Sequence, residues 1–185
     1  MDHTEAIVEI KNIIQPEFNE RIISLINKKC IKKLGINTGK SEITAENIRN
    51  VKGYDLNFNT PTNLFYWNYI KKEIEKHYIL YKAKFPKMMS DKINQIELLK
   101  YNVGGKYETH TDNDTHGKRH LSVIMNLNDN YKGGDLVFSD QKENEIKRLK
   151  LGKGSIVFFP SNFMYPHMIE PITKGTRYSI VAWLQ

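Results

Sequence analysis

A single cysteine, Cys30, occurs among 185 residues. That excludes a disulfide within the chain and removes the staple on which small secreted domains depend. Long apolar runs are also missing. None approaches the roughly 20 residues needed to cross a bilayer, so no membrane association is expected. The opening stretch MDHTEAIVEIKNII has neither a basic leader nor an apolar stretch of the kind that directs secretion, and a cytoplasmic location is the expectation. Low-complexity tracts, internal repeats and Pro- or Gly-rich linkers are absent as well. One domain over 1–185 is therefore expected. Hydrophobic residues make up 39% and charged residues 26%, a globular rather than a disordered composition. Lys and Arg number 28 against 21 Asp and Glu, a net charge of +7 that permits nucleic acid or acidic partners without demanding them. The densest basic run, Lys28 to Lys33, follows an amphipathic stretch, where cations complement the carbonyl end of a helix.

The two halves of the chain differ in rhythm. Phe18, Ile22, Leu25 and Ile26 recur at helical spacing after Pro16, and Phe65, Ile70, Ile74 and Tyr78 do so after Pro61. Residues 1–94 accordingly read as mainly helical support. The stretch from Thr38 to Thr62, with Arg49, Tyr54 and Phe58, reads as a possible lid. From Gln95 the pattern changes to short apolar runs, Ile96–Tyr101, Leu121–Leu127, Leu136–Phe138, Ser155–Phe159 and Tyr178–Trp183, separated by glycines. This spacing predicts an antiparallel sandwich or barrel such as a jelly roll over 95–185. The fold class is α+β, with N-terminal helices bracing a β core.

His110 and Asp112 stand two residues apart at the end of a predicted strand. Side chains at i and i+2 leave the same face with backbones roughly 6.6 Å apart, so an imidazole and a carboxylate can converge on one ion. Alone the pair is weak, since this composition produces an H-x-D by chance about 0.3 times. His167, after the apolar run Ser155–Phe159, supplies a third ligand. Two His and one carboxylate on a β framework suit Fe(II) and leave positions open, whereas zinc would more often recruit a third His or a Cys. Arg177 and Ser179 then share a face of the next strand, where a guanidinium beside a hydroxyl makes a fork for a carboxylate. Pro171 to Gly175 reads as the hairpin leading into it.

With these elements in order, the stretch Tyr101 to Asp112, then Arg119 to Asn128, Gly133-Gly134, Gly152 to Ser155, His167 and Gly175 to Trp183 resembles the prolyl 4-hydroxylase-like branch of the 2-oxoglutarate and Fe(II)-dependent dioxygenases. The likeness covers about half the chain, from Gln95 to Gln185. It implies a double-stranded β-helix, the cupin-like form of the jelly roll. It implies Fe(II) held by His110, Asp112 and His167 as catalytic centre, 2-oxoglutarate as co-substrate, O₂, and benefit from ascorbate. Arg177 would pair with the distal carboxylate of 2-oxoglutarate, with Tyr101 and Ser179 beside it. Trp183 matches an aromatic near the metal.

The implied activity is hydroxylation of an unactivated C–H bond in a peptide or protein substrate, at a prolyl residue as in procollagen-proline 4-dioxygenases, releasing succinate and CO₂. Two alternatives stand beside it: oxidative modification of nucleic acid, encouraged by the positive charge, and a non-catalytic binding module on the same fold. The chain departs from the family pattern in the stretch Arg119 to Asn128. Ser122 stands where the family has Thr and keeps its hydroxyl, Asn126 replaces a Tyr that lines the co-substrate pocket, and the resemblance carries both over as co-substrate-binding positions. His116 and His120 fall near the H-x-D and receive no ligand role.

Overall fold

A computed structural model describes residues 2–37, 42–43, 45–113 and 119–185. A 3-10 turn at His3–Ala6 leads into β1 (Val8–Ile10) and helix α1 (Pro16–Lys29). Five short strands follow: β2 (Lys32–Lys33), β3 (Ile36–Asn37), β4 (Glu42–Ile43), β5 (Arg49–Asn50) and β6 (Lys52–Asp55). Helix α2 (Pro61–Lys84) precedes β7 (Ile93–Tyr101), β8 (Lys106–His110), β9 (Leu121–Asn126), β10 (Lys132–Gly133) and β11 (Leu136–Ser139). The chain closes with β12 (Glu145–Leu149), β13 (Ser155–Pro160), β14 (His167–Ile169), β15 (Ile172–Lys174) and β16 (Arg177–Leu184). No described helix is long and apolar enough to cross a membrane.

The strands form a seven-stranded sheet ordered β1-β13-β9-β16-β7-β6-β2 and a five-stranded sheet ordered β12-β11-β14-β8-β5, with antiparallel pairings. Two facing antiparallel sheets are the jelly roll that the strand spacing predicts. Alternation along each strand of the larger sheet decides its two faces. Ile96, Leu98, Val123, Met125, Ile156, Phe158, Ile180 and Ala182 turn outward to the helices, against Ile22 and Ile26 of α1 and Ile70 and Ile74 of α2. Leu99, Tyr101, Ile124, Val157 and Phe159 turn inward against Leu136, Phe138 and Ile169.

Both helices begin as their sequences dictate. Pro16 and Pro61 occupy the first turn, where a missing N–H costs nothing. Thr60 caps α2 by accepting from the Asn63 backbone N–H at 3.2 Å. Lys28 and Lys29 close α1 and Lys82 and Lys84 close α2, on the side of the free carbonyls. Cys30 is buried beneath the larger sheet, donates to the Leu98 carbonyl, and has its thiol pushed up to about 12 by that burial.

Two expectations are corrected here. The N-terminal half is less helical than its periodicity suggests, because β1, β2 and β6 extend the larger sheet and β5 extends the smaller one. Strands of two to four residues leave no periodic signature to read. Pro171 to Gly175 is not a hairpin within one sheet. β14 belongs to the smaller sheet and β16 to the larger, so this segment crosses between them, and β15 pairs with β10 instead. The possible lid is in part a bridge: β5 and β6 are adjacent in sequence yet join different sheets. Of that segment, 38–41 and 44 lie outside the described residues, as does His116.

Candidate active site

The three predicted ligands meet between the sheets. β8 and β14 run antiparallel with His110 opposite His167, which brings the two imidazoles side by side with ring centroids 4.4 Å apart. Asp112 lies two residues past the end of β8. Its Oδ1 is 3.5 Å from His110 Nε2 and its Oδ2 is 3.7 Å from His167 Nε2. One ligand atom from each residue falls within 4.8 Å of the others, a spacing that admits one ion among the three.

Surrounding groups set the orientation of each ligand. His110 Nδ1 lies 2.8 Å from the Glu108 carbonyl and His167 Nδ1 lies 3.1 Å from the Tyr165 carbonyl. A carbonyl can only accept, so Nδ1 carries the proton and Nε2 presents its lone pair to the ion. The Ser122 hydroxyl donates to Asp112 Oδ2 at 2.6 Å and lies 2.8 Å from the Ser161 hydroxyl. Tyr107 stacks on His110 at 3.6 Å between centroids, and Phe159 sets its edge against His167 at 4.8 Å.

Burial alone would raise the Asp112 carboxyl, but His167, His110 and the Ser122 hydroxyl hold it well below the usual carboxylate range. Burial, with His110 beside it, lowers His167 to about 4. The site therefore holds a carboxylate and a neutral imidazole at neutral pH, the forms in which both bind metal.

Arg177, the first residue of β16, lies opposite Tyr101 of β7 and is 1% exposed. Its Nη1 donates to the Ser179 hydroxyl at 3.3 Å, and its Cζ lies 5.3 Å from the centre of the Tyr101 ring. Nε and Nη2 are buried without an acceptor among the described residues. A buried guanidinium with unmet donors is costly unless an anion completes it. Arg177, Tyr101 and the triad line one cavity, so this site fits both groups in question: two imidazoles and a carboxylate for a divalent ion, and an unsatisfied guanidinium for a carboxylate.

Two of the expected pocket residues have other duties. Ser122 does not line the cavity; its hydroxyl is engaged by Asp112. Asn126 does not line it either. Its amide donates to the carbonyls of Asn128 at 2.6 Å and Leu151 at 3.0 Å, and its oxygen accepts from Tyr131 at 3.2 Å. An amide offers both donors and an acceptor, so at this position it pins two loops where a phenol would reach into a pocket. Trp183 does line the cavity, with the Arg119 guanidinium 3.7 Å from its ring. His120 lies outside the cavity and its Nδ1 is 3.0 Å from the Ser90 hydroxyl.

Sequence reasoning missed Glu97, Tyr107 and the inward role of Arg49, all of which line the cavity. Glu97 had a signal. It shares the inward face of β7 with Leu99 and Tyr101, an unusual place for a carboxylate.

Comparison with known proteins agrees with this geometry. The profile of the 2OG-Fe(II) oxygenase superfamily matches residues 96–185. A PKHD-type hydroxylase of Rippkaea orientalis is 29% identical over 125 residues, covering 64% of this chain and 53% of that protein. A PKHD-type hydroxylase of Aliarcobacter butzleri is 26% identical and covers 97% of this chain and 78% of its own. Against the first relatives the chain spans about half their length. Among solved structures, a Trichoplax adhaerens prolyl hydroxylase in complex with a hypoxia inducible factor peptide superposes with a TM-score of 0.79 at 17% identity, over 98% of this chain and 84% of that one. A Pseudomonas putida prolyl-4-hydroxylase gives 0.76 at 14% identity, over 97% and 92%. At such identities the structural likeness is one of fold. Residues 96–185 thus match the 2OG-Fe(II) oxygenase superfamily, and the fold of the chain is that of these prolyl hydroxylases.

Proposed function

We propose that this chain is a dioxygenase dependent on Fe(II) and 2-oxoglutarate that hydroxylates a prolyl residue of a peptide or protein, releasing succinate and CO₂. One observation carries this reading: the convergence of His110, Asp112 and His167 in a cavity that also holds Arg177 with unmet donors. Iron and the 2-oxo acid, when bound, supply the oxidation of the C–H bond by O₂. The protein supplies the rest. His110, Asp112 and His167 offer two neutral nitrogens and one charged oxygen, a donor set that suits Fe(II). Ser122 keeps Asp112 turned toward them. Arg177 receives the far carboxylate of the co-substrate, with Ser179 holding the guanidinium and Tyr101 flanking it. Phe138, Phe159 and Ile124 pack the interior and keep water from the reacting centre.

The peptide substrate is supported by the Trichoplax adhaerens enzyme, which shares this fold and is seen with a peptide. Residues 1–185 are read as one catalytic domain, ascorbate as a supporting reductant, and the cytoplasm as its location. Anaerobic titration with Fe(II) and 2-oxoglutarate, followed by succinate measurement with oxygen and a set of proline-containing peptides, tests the proposal. We expect H110A and D112A to lose metal binding and succinate formation, and R177A to raise the 2-oxoglutarate requirement at least tenfold. Normal turnover by H110A would sink the assignment. Turnover stimulated by single-stranded DNA or RNA but by no peptide would favour the nucleic-acid alternative instead.

A further inference from the structure

Glu97 and Arg49 form an ion pair inside the wall of the active-site cavity. Arg49 Nη2 lies 3.1 Å from Glu97 Oε2, and the two side chains are 13% and 12% exposed. Arg49 also donates from Nη1 to the Gly35 carbonyl at 3.0 Å, and its guanidinium lies over the Tyr107 ring at 4.7 Å. Its Nε is buried without an acceptor among the described residues. The other Glu97 oxygen accepts from Gln95 at 3.0 Å, and Gln95 accepts from Arg119 at 2.6 Å.

Strand register places this pair along the cavity. Tyr101 faces Arg177, Glu97 faces Val181, and Gln95 faces Trp183, which is itself opposite Ser122, the residue bonded to Asp112. The layer holding Glu97 therefore lies between the Arg177 layer and the one that supports the metal ligands. A carboxylate there faces the span that a 2-oxo dicarboxylate must occupy if it binds Arg177 at one end and the ion at the other.

Charge decides whether such a dianion is admitted. Among the described residues lining the cavity, Arg49 and Arg177 carry guanidinium groups and Glu97 and Asp112 carboxyl groups; burial pushes the Glu97 carboxyl up and the Arg49 guanidinium, 3.1 Å away, opposes that, so the pair is taken as ionic. These cancel, so a divalent ion leaves a double positive charge that matches a dianion. Without Arg49 the match is lost, and an uncompensated carboxylate faces the co-substrate in a poorly screened interior.

We propose that Arg49 is a positioning residue for the co-substrate: by neutralising Glu97 it makes the cavity accept a 2-oxo dicarboxylate dianion. This rests on the dioxygenase reading above and adds a residue to it. Arg49 reaches the site because β5 pairs with β8, Arg49 opposite Tyr107, so the same strand that closes the smaller sheet completes the charge balance.

The test is calorimetric binding of 2-oxoglutarate to the Mn(II)-loaded protein, with pyruvate as a monoanionic 2-oxo acid for comparison. We expect R49M to weaken 2-oxoglutarate binding about 30-fold, the scale set by stranding one partner of a buried pair, and to weaken pyruvate binding less. The double variant R49M/E97Q should recover to within about threefold of the parent, and E97Q alone should bind 2-oxoglutarate at least as well as the parent. Circular dichroism reports whether each variant folds. Should R49M fail to fold, E97Q and R49M/E97Q decide alone. Parent-like binding by R49M overturns the proposal, as does a tenfold loss in E97Q or in a folded R49M/E97Q. A parent protein that binds no 2-oxoglutarate would instead overturn the dioxygenase reading, and this proposal with it.

Discussion

The Ser122 hydroxyl shows how much a single side chain outside the cavity can contribute. It donates to the same Asp112 oxygen that lies nearest His167. Removing it frees the carboxylate to rotate, and groups that orient metal ligands are typically worth 10- to 100-fold in affinity. We expect S122A to weaken Mn(II) binding by about that factor, measured by calorimetry, with the fold intact. His167 leads to a prediction in pH. Burial, with His110 nearby, lowers its folded value to about 4 from an ordinary 6.5. A lowered folded value means the unfolded chain takes up the proton first as pH falls. The stability tied to neutral His167 is therefore fully present above about pH 6.5. It is lost as pH falls toward about 4. The melting temperature of the metal-free protein should drop steadily over that interval, and a flat profile would contradict the assignment. The triad was legible in the sequence because three residues of two types, His, Asp and His, stand in a fixed order. Asn126 and Ser122 were legible only as departures, since what each touches depends on loops remote in sequence.

Among the elements, the segment from β10 to β11 controls how Arg177 is held. Gly134 has φ of +72°, and a Cβ there would meet Ile172 Cδ1 at 2.4 Å and Arg177 Cδ at 3.3 Å. The left-handed backbone and the close approach both demand glycine. G134A should lower stability by about 1–3 kcal/mol and raise the 2-oxoglutarate requirement, measured by denaturant titration and by the co-substrate dependence of turnover. Helix α2 acts at a greater distance. Ile74 is fully buried between it and the larger sheet, and I74A should cost about 2–5 kcal/mol without altering the metal affinity of the folded protein. Both long helices and the strands of six residues or more were visible in the sequence, because their periodicity runs over several turns or pleats. The two-residue strands and the crossing at Pro171 to Gly175 were not. Their existence depends on which sheet edge is free, and local pattern carries no record of that.

For the whole molecule, metal and fold are linked. The triad draws its ligands from β8, the loop after it and β14, elements that meet only in the folded chain. An ion that binds the folded state alone stabilises it by about 2.7 kcal/mol at a hundredfold excess over Kd. A thermal scan should therefore show Mn(II) raising the melting temperature of the parent and not of D112A. The net charge of +7 predicts only long-range attraction, which salt screens, and says nothing about which molecule reaches the cavity. The sequence by itself determined the α+β layout and singled out His110, Asp112, His167 and Arg177, which the fold brings to one cavity, because hydrophobic alternation and ordered residue types are local or near-local properties. Only the tertiary structure decided that Glu97 and Arg49 share the cavity and that Asn126 turns to loops. Both outcomes depend on strand register across sheets, where one pairing step moves a side chain from one face to the other.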